Sequence, residues 1–384
     1  MVILSILAAI LIFSILIFVH ELGHFMAAKA SGVQVNEFSM FMGPAIFKKQ
    51  KGETLYSLRC IPIGGYCAME GEDEDTDNPR SFQKAAWWKR LIILVAGAFM
   101  NFLIGFLMLM LFFSFEQEFV QPVIDSKEEL CTIVYEDGLH VGDRLVKIDG
   151  YRVYTNSDAK LLLSLADETA DLVVKRDGKM IEFNDYKLDS IYFSVCKCGE
   201  KFFFNEEIRS KPYICPKCQT KMDLNTVEYQ EKYGITFKSE KATFGGLIPY
   251  TWDNTRSLVQ SVWMGLEMLI TGRAGLKDMT GPVGIVQIMS DTATQSANFG
   301  QAVLSMLYLG GFIAINLGVM NLLPFPALDG GRCVGLLLTT GIEKITKKKL
   351  DPKYEGYVHG AGMILLLLLM AVILFKDVFM IFKG

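Results

Sequence analysis

The chain has 384 residues and a net charge of −4, with basic and acidic side chains present in similar numbers, so its charge does not indicate a nucleic-acid partner. Hydrophobic residues make up 51% of the sequence, and its mean hydropathy is +0.30. This composition is too apolar for an ordinary soluble protein of this length and directs attention to membrane-spanning segments.

The apolar residues are concentrated in four uncharged windows, at 1–19, 91–115, 292–328 and 358–375. Because a helix needs about 20 apolar residues to cross a bilayer, the first, second and fourth windows each fit one span. The third contains Pro324 and Pro326, which should end a helix, so we expect a span at 301–323 and then an irregular segment. The first window lacks a basic leader and a small-residue cleavage site, which favours a retained helix over a signal peptide. The predicted fold class is an α-helical polytopic membrane protein with about four transmembrane helices.

Basic residues near the ends of the spans predict the orientation of the chain. They cluster at 48–90, between the first two spans, and at 344–353, between the last two. The second span is followed instead by Glu116, Glu118 and Asp125. We therefore expect both basic loops, and the polar end of the first helix, on the cytoplasmic side of the cell membrane. The segment 116–300 is expected outside the cytoplasm.

Turn and strand signals predict a small α+β domain after the second span. The stretch "GLHVGDRLVKIDGYRV" (Gly138–Val153) contains an apolar β-run closed by an Asp-Gly turn, and "LVVKRDGKMIEF" (Leu172–Phe183) has the pattern of a hairpin. The first stretch resembles bacterial PDZ domains, which implies an extracytoplasmic PDZ-like domain. A generic small β-domain is the alternative.

Two closely spaced cysteine pairs follow, at Cys196 and Cys198 and at Cys215 and Cys218. Paired cysteines of this kind fit one tetrahedral zinc ion, and the pattern resembles a zinc ribbon, although CxC is less usual than CxxC in the first pair. Since this segment is expected outside the cytoplasm, disulfides remain open, as do free thiols. Four thiolates would leave no position for a substrate, so a zinc ion here would be structural.

Two further regions have weaker signals. Short apolar runs and Gly64-Gly65 between the first two spans predict β-hairpins, which we expect to be membrane-associated. Before the third span, "TRSLVQSVWMGLEML" is amphipathic and is expected at the outer membrane interface. A soluble helix packed on the PDZ-like domain is the alternative for that stretch.

The first apolar window ends in "FVHELGHFMAAKA" (Phe18–Ala30), in which His20 and His24 have i, i+4 spacing. On a helix the two imidazoles lie on one face and can bind one metal ion, while Glu21 can reach a water there. This is the HExxH arrangement of zinc proteases, with the glutamate as general base. Ionisable groups inside a membrane segment are costly, which favours a functional role over mere packing.

A catalytic zinc ion usually has three protein ligands and one open position. His359, which begins the fourth span, is conceivable as the third ligand. Asp329 in "NLLPFPALDGG" (Asn321–Gly331) is the better candidate, because this segment should emerge on the same side as His20. Asp329 could also be a helix N-cap, a common role for aspartate.

Together these motifs resemble the site-2 protease family of intramembrane zinc metalloproteases, in its bacterial regulator-of-sigma-E protease branch. The resemblance covers nearly the whole chain and includes "IPIGGYCAMEGE" (Ile61–Glu72) and "AGAFMN" (Ala96–Asn101). The site roles that it implies are zinc binding by His20, His24 and Asp329, general base catalysis by Glu21, and substrate binding by Asn321 and by Gly64, Gly65 and Tyr66 of a hairpin that pairs with unwound substrate.

The resemblance also implies a function, which is hydrolysis of peptide bonds in or near transmembrane segments during regulated intramembrane proteolysis. Expected substrates are anti-sigma factors or remnant signal peptides, with the lipid bilayer and an upstream site-1-type protease as partners. Ala98 stands where the family usually has proline, Arg332 where relatives often have histidine, and the cysteine insert is not a general family feature. A metal transporter and an inactive scaffold are the competing classes.

The predicted domains follow from these signals. They are transmembrane helix 1 with HExxH at 1–30, a cytoplasmic-side β-hairpin region at 31–87, transmembrane helix 2 at 88–115, the PDZ-like domain at 116–190, the zinc-ribbon-like insert at 191–225, the interfacial amphipathic segment at 226–300, transmembrane helix 3 with the LDG motif at 301–340, and transmembrane helix 4 at 357–382.

Overall fold

The structure is a computed structural model that describes residues 2–72, 76–127, 138–188, 191–204, 213–222, 230–232, 235–275, 281–296, 298–347 and 353–383. The chain divides into two compact units. The helical unit comprises Met1–Phe115 and Leu258–Gly384, and the β unit comprises Glu116–Ser257.

Helices dominate the helical unit and strands dominate the β unit. In chain order the elements are α1 (Val2–Ser31), β1 (Val35–Lys51), β2 (Thr54–Met69), α2 (Trp87–Phe113), β3 (Glu118–Lys127), β4 (Arg144–Ile148), β5 (Tyr151–Arg152), α3 (Asn156–Leu165), β6 (Thr169–Arg176), β7 (Lys179–Lys187), β8 (Ile191–Val195), β9 (Lys201–Phe204), β10 (Tyr213–Ile214), β11 (Lys221–Met222), β12 (Gln230–Lys232), β13 (Ile235–Lys241), α4 (Phe244–Ile270), α5 (Pro282–Gln295), α6 (Phe299–Asn321), α7 (Asp329–Thr346) and α8 (Lys353–Lys383).

Within the described residues, four helices are long and apolar enough to cross a membrane, namely α1, α2, α6 and α8. Their candidate spans are 22 to 27 residues long, which matches the thickness of a bilayer core. Each coincides with one of the four uncharged windows of the sequence, so the predicted polytopic membrane fold is confirmed at this level.

Small residues allow the membrane helices to approach closely. A Cβ atom added to Gly105 of α2 would lie 2.9 Å from Ile315 and 3.0 Å from Ala314 of α6. Lipid tails are as apolar as leucine side chains, so helices in a bilayer associate through close packing of this kind rather than by excluding water. The α1, α2 and α6 bundle is therefore specified by its glycines as much as by its large apolar residues.

Helix α5 adds to this bundle. Its Met289 is buried in a cluster with Ala9 and Leu16 of α1 and with Ile313 of α6. Within its described residues, the segment 226–300, expected as one interfacial amphipathic stretch, contains β12, β13, α4, α5 and the start of α6, and α5 packs against membrane helices. Pro282 occupies the first turn of α5, where its missing N–H costs nothing.

The segment between α6 and α7 is irregular, as the two prolines predict. Helix α6 ends at Asn321, and α7 begins at Asp329. A Cβ atom on Gly330 would collide with the backbone of Leu322 and Leu323, and one on Gly331 with that of Phe325. The Gly-Gly pair therefore allows the turn to fold tightly over the first residues of α7.

Strands β1 and β2 form a sheet in which each strand bends back on itself. Phe38 of β1 lies opposite both Tyr56 and Cys67 of β2, so the first part of β1 is paired on both sides. Positive φ angles at Gly43 and Gly64 mark the bends, and such angles favour glycine. As a result the stretch 65–69 is paired on one side only, in the part of the sheet that the structure describes.

The β unit contains a sheet with strand order β13-β3-β4-β6-β7, with β5 paired to β4. Its fully buried side chains include Ile124, Leu145, Ile148 and Leu172. Helix α3 begins with a capping box between Thr155 and Asp158, a motif that can be recognised in the sequence. Strands β8 to β12 form two smaller sheets, and the four paired cysteines lie in the turns between β8 and β9 and between β10 and β11.

We predict that Gly105→Leu destabilises the helical unit, since overpacking a tight helix contact costs about 1–3 kcal/mol. Thermal unfolding in detergent should show a lowered midpoint. The matched control is Gly341→Leu on α7, where an added Cβ meets nothing within 4 Å. An equal response of the two variants would contradict glycine-mediated packing of α2 on α6.

Candidate metal centre

Helix α1 brings His20 and His24 onto one face, as the i, i+4 spacing predicts. Their Nε2 atoms are 3.1 Å apart. The other ring nitrogen of His24, Nδ1, lies 2.8 Å from the carbonyl oxygen of Ile93 on α2. Because a carbonyl can only accept, Nδ1 carries the proton, and in the neutral ring Nε2 keeps a free lone pair.

Asp329 at the start of α7 completes a triangle with the two imidazoles. Its Oδ2 lies 3.2 Å from His20 Nε2 and 3.3 Å from His24 Nε2. This oxygen is buried and has no hydrogen-bond partner among the described residues. The structure therefore brings together, from opposite ends of the chain, the three residues that the sequence singles out as metal ligands.

The triangle has the dimensions of a metal site. Tetrahedral zinc with nitrogen and oxygen ligands at 2.0–2.1 Å separates those ligands by about 3.3 Å, close to the three distances observed. Two imidazole lone pairs and a carboxylate oxygen would repel one another at this range unless a cation or protons lay between them. The donor set thus fits a divalent zinc ion with one coordination position left open.

Two asparagines approach the remaining nitrogen of His20. Asn101 of α2 places its Nδ2 3.2 Å from His20 Nδ1, and Asn321 at the end of α6 places its Nδ2 3.4 Å from the same atom. The Oδ1 of Asn101 is buried without a partner among the described residues. Turning this amide over would let Oδ1 accept the Nδ1 proton, which a histidine that ligates through Nε2 needs to donate.

Glu21 lies against the edge of β2 beside the same centre. A Cβ atom on Gly65 would be 3.3 Å from Glu21 Cγ, so only a glycine lets the strand pass this close. The Glu21 carboxyl accepts a backbone hydrogen bond from Cys67 and interacts electrostatically with both histidines. Glu21 is thus placed between the proposed ligands and the singly paired stretch 65–69.

The turn before Asp329 is held by helix α8. The Ala327 backbone N–H donates to His359 Nδ1 at 3.0 Å, and a Cβ atom on Gly362 would collide with Pro326. Ala327 has a φ of 80°, which is unfavourable for a residue with a side chain. His359, conceivable from sequence as a ligand, instead anchors the backbone turn that presents Asp329.

Tyr66 of the GGY segment is fixed by polar neighbours. Burial and the adjacent Glu37 carboxylate raise the pKa of the Tyr66 hydroxyl, which therefore stays protonated near neutral pH. The Arg59 guanidinium lies 5.3 Å from the Tyr66 ring centre and forms an ion pair of 2.7 Å with Glu37. Further along, Glu72 forms an ion pair with Arg332 of α7.

The four paired cysteines also come together, in the β unit. All their sulfur atoms lie within 4.8 Å of one another, a second grouping that could hold a metal ion.

Sequence reasoning did not assign the neighbours that set the geometry of the centre. Gly97 is one of them, since its Cβ would collide with the His24 imidazole and lie 2.8 Å from His20 Nε2. The AGAFMN resemblance pointed to this stretch without giving a role to Gly97 or Asn101. The Ile93 carbonyl carries no sequence signal at all, because every residue has one.

We predict that Gly97→Ala abolishes metal binding at this centre, because the added methyl group occupies the space of the imidazoles. Elemental analysis of the purified protein should show the loss of one metal ion per chain. Gly265→Ala on α4, where an added Cβ meets nothing within 4 Å, should leave the metal content unchanged. Full metal content in Gly97→Ala would show that the imidazoles do not bind where the structure places them.

Comparison with known proteins agrees with this arrangement. Residues 8–369 match Peptidase family M50. A Clostridium perfringens protein named as a zinc metalloprotease is 34% identical over 379 residues, covering 97% of this chain and 98% of the relative. The zinc metalloprotease RasP of Bacillus licheniformis is 26% identical, and the regulator of sigma-W protease RasP of Bacillus subtilis is 24% identical, each over 461 residues covering 97% of this chain and 98% of the relative.

The family match extends over almost the whole chain, and it includes His20, Glu21, His24 and Asp329. The residues of the candidate metal centre therefore all lie within the matched region. The chain belongs to Peptidase family M50, the site-2 protease family, and is a multi-pass membrane zinc metalloprotease.

Proposed function

We propose that this protease hydrolyses peptide bonds in or near the transmembrane segments of other membrane proteins. The observation that carries the proposal is the meeting of His20, His24 and Asp329 among helices able to span a membrane. A peptidase centre at that depth is accessible to bonds in or beside a membrane helix, whereas a soluble substrate would meet it only by entering the bilayer.

His20, His24 and Asp329 are the proposed zinc ligands. The Ile93 carbonyl fixes the tautomer of His24. Asn101 and Asn321 lie close to Nδ1 of His20, the ring nitrogen that would not bind the ion. A zinc ion bound there supplies Lewis acidity, which polarises a carbonyl and lowers the pKa of a coordinated water from 15.7 toward about 7.

Glu21 is the proposed general base. It neighbours both proposed histidine ligands, so its carboxylate can accept the proton of the attacking water and return it to the leaving amine. The carboxyl is held from the strand side by the Cys67 backbone. This hydrogen bond would orient the carboxylate before the substrate arrives.

The stretch 65–69 of β2 and Asn321 are the proposed substrate-binding elements. A helical substrate must unwind before its carbonyl can be attacked, and its freed backbone groups then need partners. A strand edge offers those partners by β-addition, while Gly64 forms the bend before this edge and Gly65 lets it lie against Glu21. Tyr66, held by Glu37 and Arg59, would flank the bound segment. Asn321 lies at the end of α6, within reach of both His20 and a peptide at the centre.

We further propose that the centre lies near the cytoplasmic side of the cell membrane, with the β unit outside the cytoplasm. The basic residues at 48–90 and 344–353 support this orientation. The predicted PDZ-like domain at 116–190 and its zinc-ribbon-like insert at 191–225 then make up most of the β unit, and they would select substrates that a site-1-type protease has already shortened.

Membrane-anchored anti-sigma factors and remnant signal peptides are the substrate classes that we propose. Both have a single apolar helix and, after a first cut, little mass outside the membrane. The Bacillus subtilis relative is named as a regulator of sigma-W, which supports the first class. The domain boundaries that we propose are those predicted from the sequence.

We predict that Glu21→Gln abolishes cleavage while zinc remains bound, because the amide cannot accept the water proton and the ligands are untouched. Cleavage of a membrane-anchored test peptide in detergent and the zinc content should be measured on the same sample. Glu182→Gln, at an exposed position on β7, is the matched control and should be fully active. Wild-type cleavage by Glu21→Gln would contradict the proposed mechanism.

A second prediction concerns the anchor of the Asp329 turn. His359→Ala removes the acceptor of the Ala327 N–H and should lower kcat about 3–10-fold, as expected for loss of one hydrogen bond worth about 0.5–1.5 kcal/mol. His359→Asn should recover most of this loss, because its Oδ1 can take the position of Nδ1. Equal activity of the two variants would show that the hydrogen bond does not position Asp329.

A further inference from the structure

We propose that the β unit binds a second zinc ion, of structural role, through Cys196, Cys198, Cys215 and Cys218. This inference does not depend on the proposed proteolytic substrates, because it concerns a different group of residues with a different set of donor atoms.

The sulfur positions match one tetrahedral ion. Cys196 Sγ lies 3.5 Å from Cys218 Sγ, and Cys198 Sγ lies 3.7 Å from Cys215 Sγ. Zinc with sulfur ligands at 2.3 Å would separate them by about 3.8 Å. Both short distances join a sulfur of one pair to a sulfur of the other, so the ion would link the two cysteine pairs.

The first pair lies in the tight turn between β8 and β9. Val195 and Lys201 are the last paired residues of the hairpin, and the Cys196 N–H donates to the Glu200 carbonyl at 2.8 Å. The Gly199 N–H donates back to the Cys196 carbonyl, and Gly199 has a φ of 86°. The left-handed residue therefore directly follows the second cysteine of the pair.

The second pair repeats this backbone arrangement between β10 and β11. The Cys215 N–H donates to the Thr220 carbonyl at 3.0 Å, and the Gln219 N–H donates to the Cys215 carbonyl at 2.9 Å. Gln219 has a φ of 57° and directly follows Cys218. The two turns thus present their sulfurs alike, although one has a single spacer residue and the other has two.

This likeness removes the objection that CxC is unusual for a zinc ribbon. What positions the sulfurs is the hairpin turn with a left-handed residue after the second cysteine, and both turns have it. Glycine takes that conformation freely at 199, whereas Gln219 pays a steric cost for it. A second turn held in this costly form is consistent with a ligand that stabilises it.

The insert also lacks a core of its own among the described residues. Its buried centre consists of Cys196 and Cys215, with Tyr192, Tyr213 and Met222 packed around them. Segments below about 40 residues rarely bury enough apolar surface to fold alone and are usually stabilised by metals or disulfides. The cysteines are therefore at the position where a cross-link is needed.

One ion accounts for the geometry better than two disulfides. Disulfides would satisfy the sulfurs in two separate pairs, and nothing would require the pairs to converge. All four sulfurs instead lie within 4.8 Å of one another. Four thiolates and Zn²⁺ carry a net charge of −2, and Lys197 within the first turn partly offsets it, while Lys217 forms an ion pair with Glu200. With every coordination position filled, this ion would have no catalytic access.

The test is the zinc content of the full-length protein in detergent. Wild type should contain two zinc ions per chain, Cys198→Ser/Cys218→Ser one, His24→Ala one, and the combined variant none. Cys60→Ser, at an exposed cysteine outside the cluster, should keep two. One zinc ion in wild type, with none lost in the double cysteine variant, would overturn the proposal without affecting the proteolytic assignment.

A measurement on wild type avoids the risk that the cysteine variants misfold. Membranes are alkylated under denaturing conditions without reductant, and the labelled cysteines are identified by mass spectrometry. Zinc binding predicts that all four cysteines are labelled once the protein is unfolded, and that an organomercurial, which reacts with thiols and leaves the histidine centre intact, releases one zinc ion per chain. Finding Cys196, Cys198, Cys215 and Cys218 in disulfides would refute the site.

Discussion

Three electron-pair donors converge on one point between helices able to span a membrane, and this arrangement is unfavourable unless a cation or protons lie between them. The Nδ1 atom of His24 donates to the Ile93 carbonyl, so the lone pair on its Nε2 atom faces His20. A backbone group therefore fixes the repulsion between the two imidazoles. Leaving a carboxylate uncompensated in such a place would cost several kcal/mol. Zinc binding and the packing of α1 against α2 and α7 are therefore one equilibrium rather than two.

Several backbone features of the fold allow the three donor side chains to reach that point. Gly97 leaves space for the imidazoles, and Gly330 lets the turn close over the start of α7. Ala327 adopts a left-handed conformation that it would not take by itself, at a cost of about 1–3 kcal/mol, and His359 holds it there. The strained backbone at Ala327 lies beside Asp329, a proposed ligand. A turn held in this conformation keeps Asp329 in place before the ion binds, which is pre-organisation of the site.

Local sequence signals predicted much of this structure, since the properties they report are local. Uncharged windows identified the four membrane helices, the i, i+4 spacing placed His20 and His24 on one face, and two prolines predicted the break before Asp329. The sequence favoured Asp329 over His359 as the third ligand, because Asp329 follows the break on the same side of the membrane as His20. The contact of His359 with the Ala327 backbone depends on how α7 and α8 pack, and no local pattern encodes that packing.

Other features could not be predicted from the sequence, because they also depend on packing between distant parts of the chain. Helix α5 falls in the segment 226–300 that was expected at the membrane interface, and the pattern of its residues does not indicate whether it contacts a membrane surface or other helices. The doubling back of β1 and β2 depends on bends at Gly43 and Gly64 whose partners lie elsewhere in the chain. The position of Glu21 against Gly65 is the most consequential case, because it brings the proposed general base and a strand edge together.

The two metal-ligating groups show how donor chemistry separates catalysis from support. Two imidazoles and one carboxylate would leave a coordination position open, and they are held by helices able to span a membrane. Four thiolates would close the coordination sphere, and they lie on short hairpins with almost no core among the described residues. An open site needs a rigid scaffold, because its ligands must stay in place while a substrate enters and leaves. A closed site itself stabilises the fold around it, so it can occur in a segment that packing alone would not keep folded.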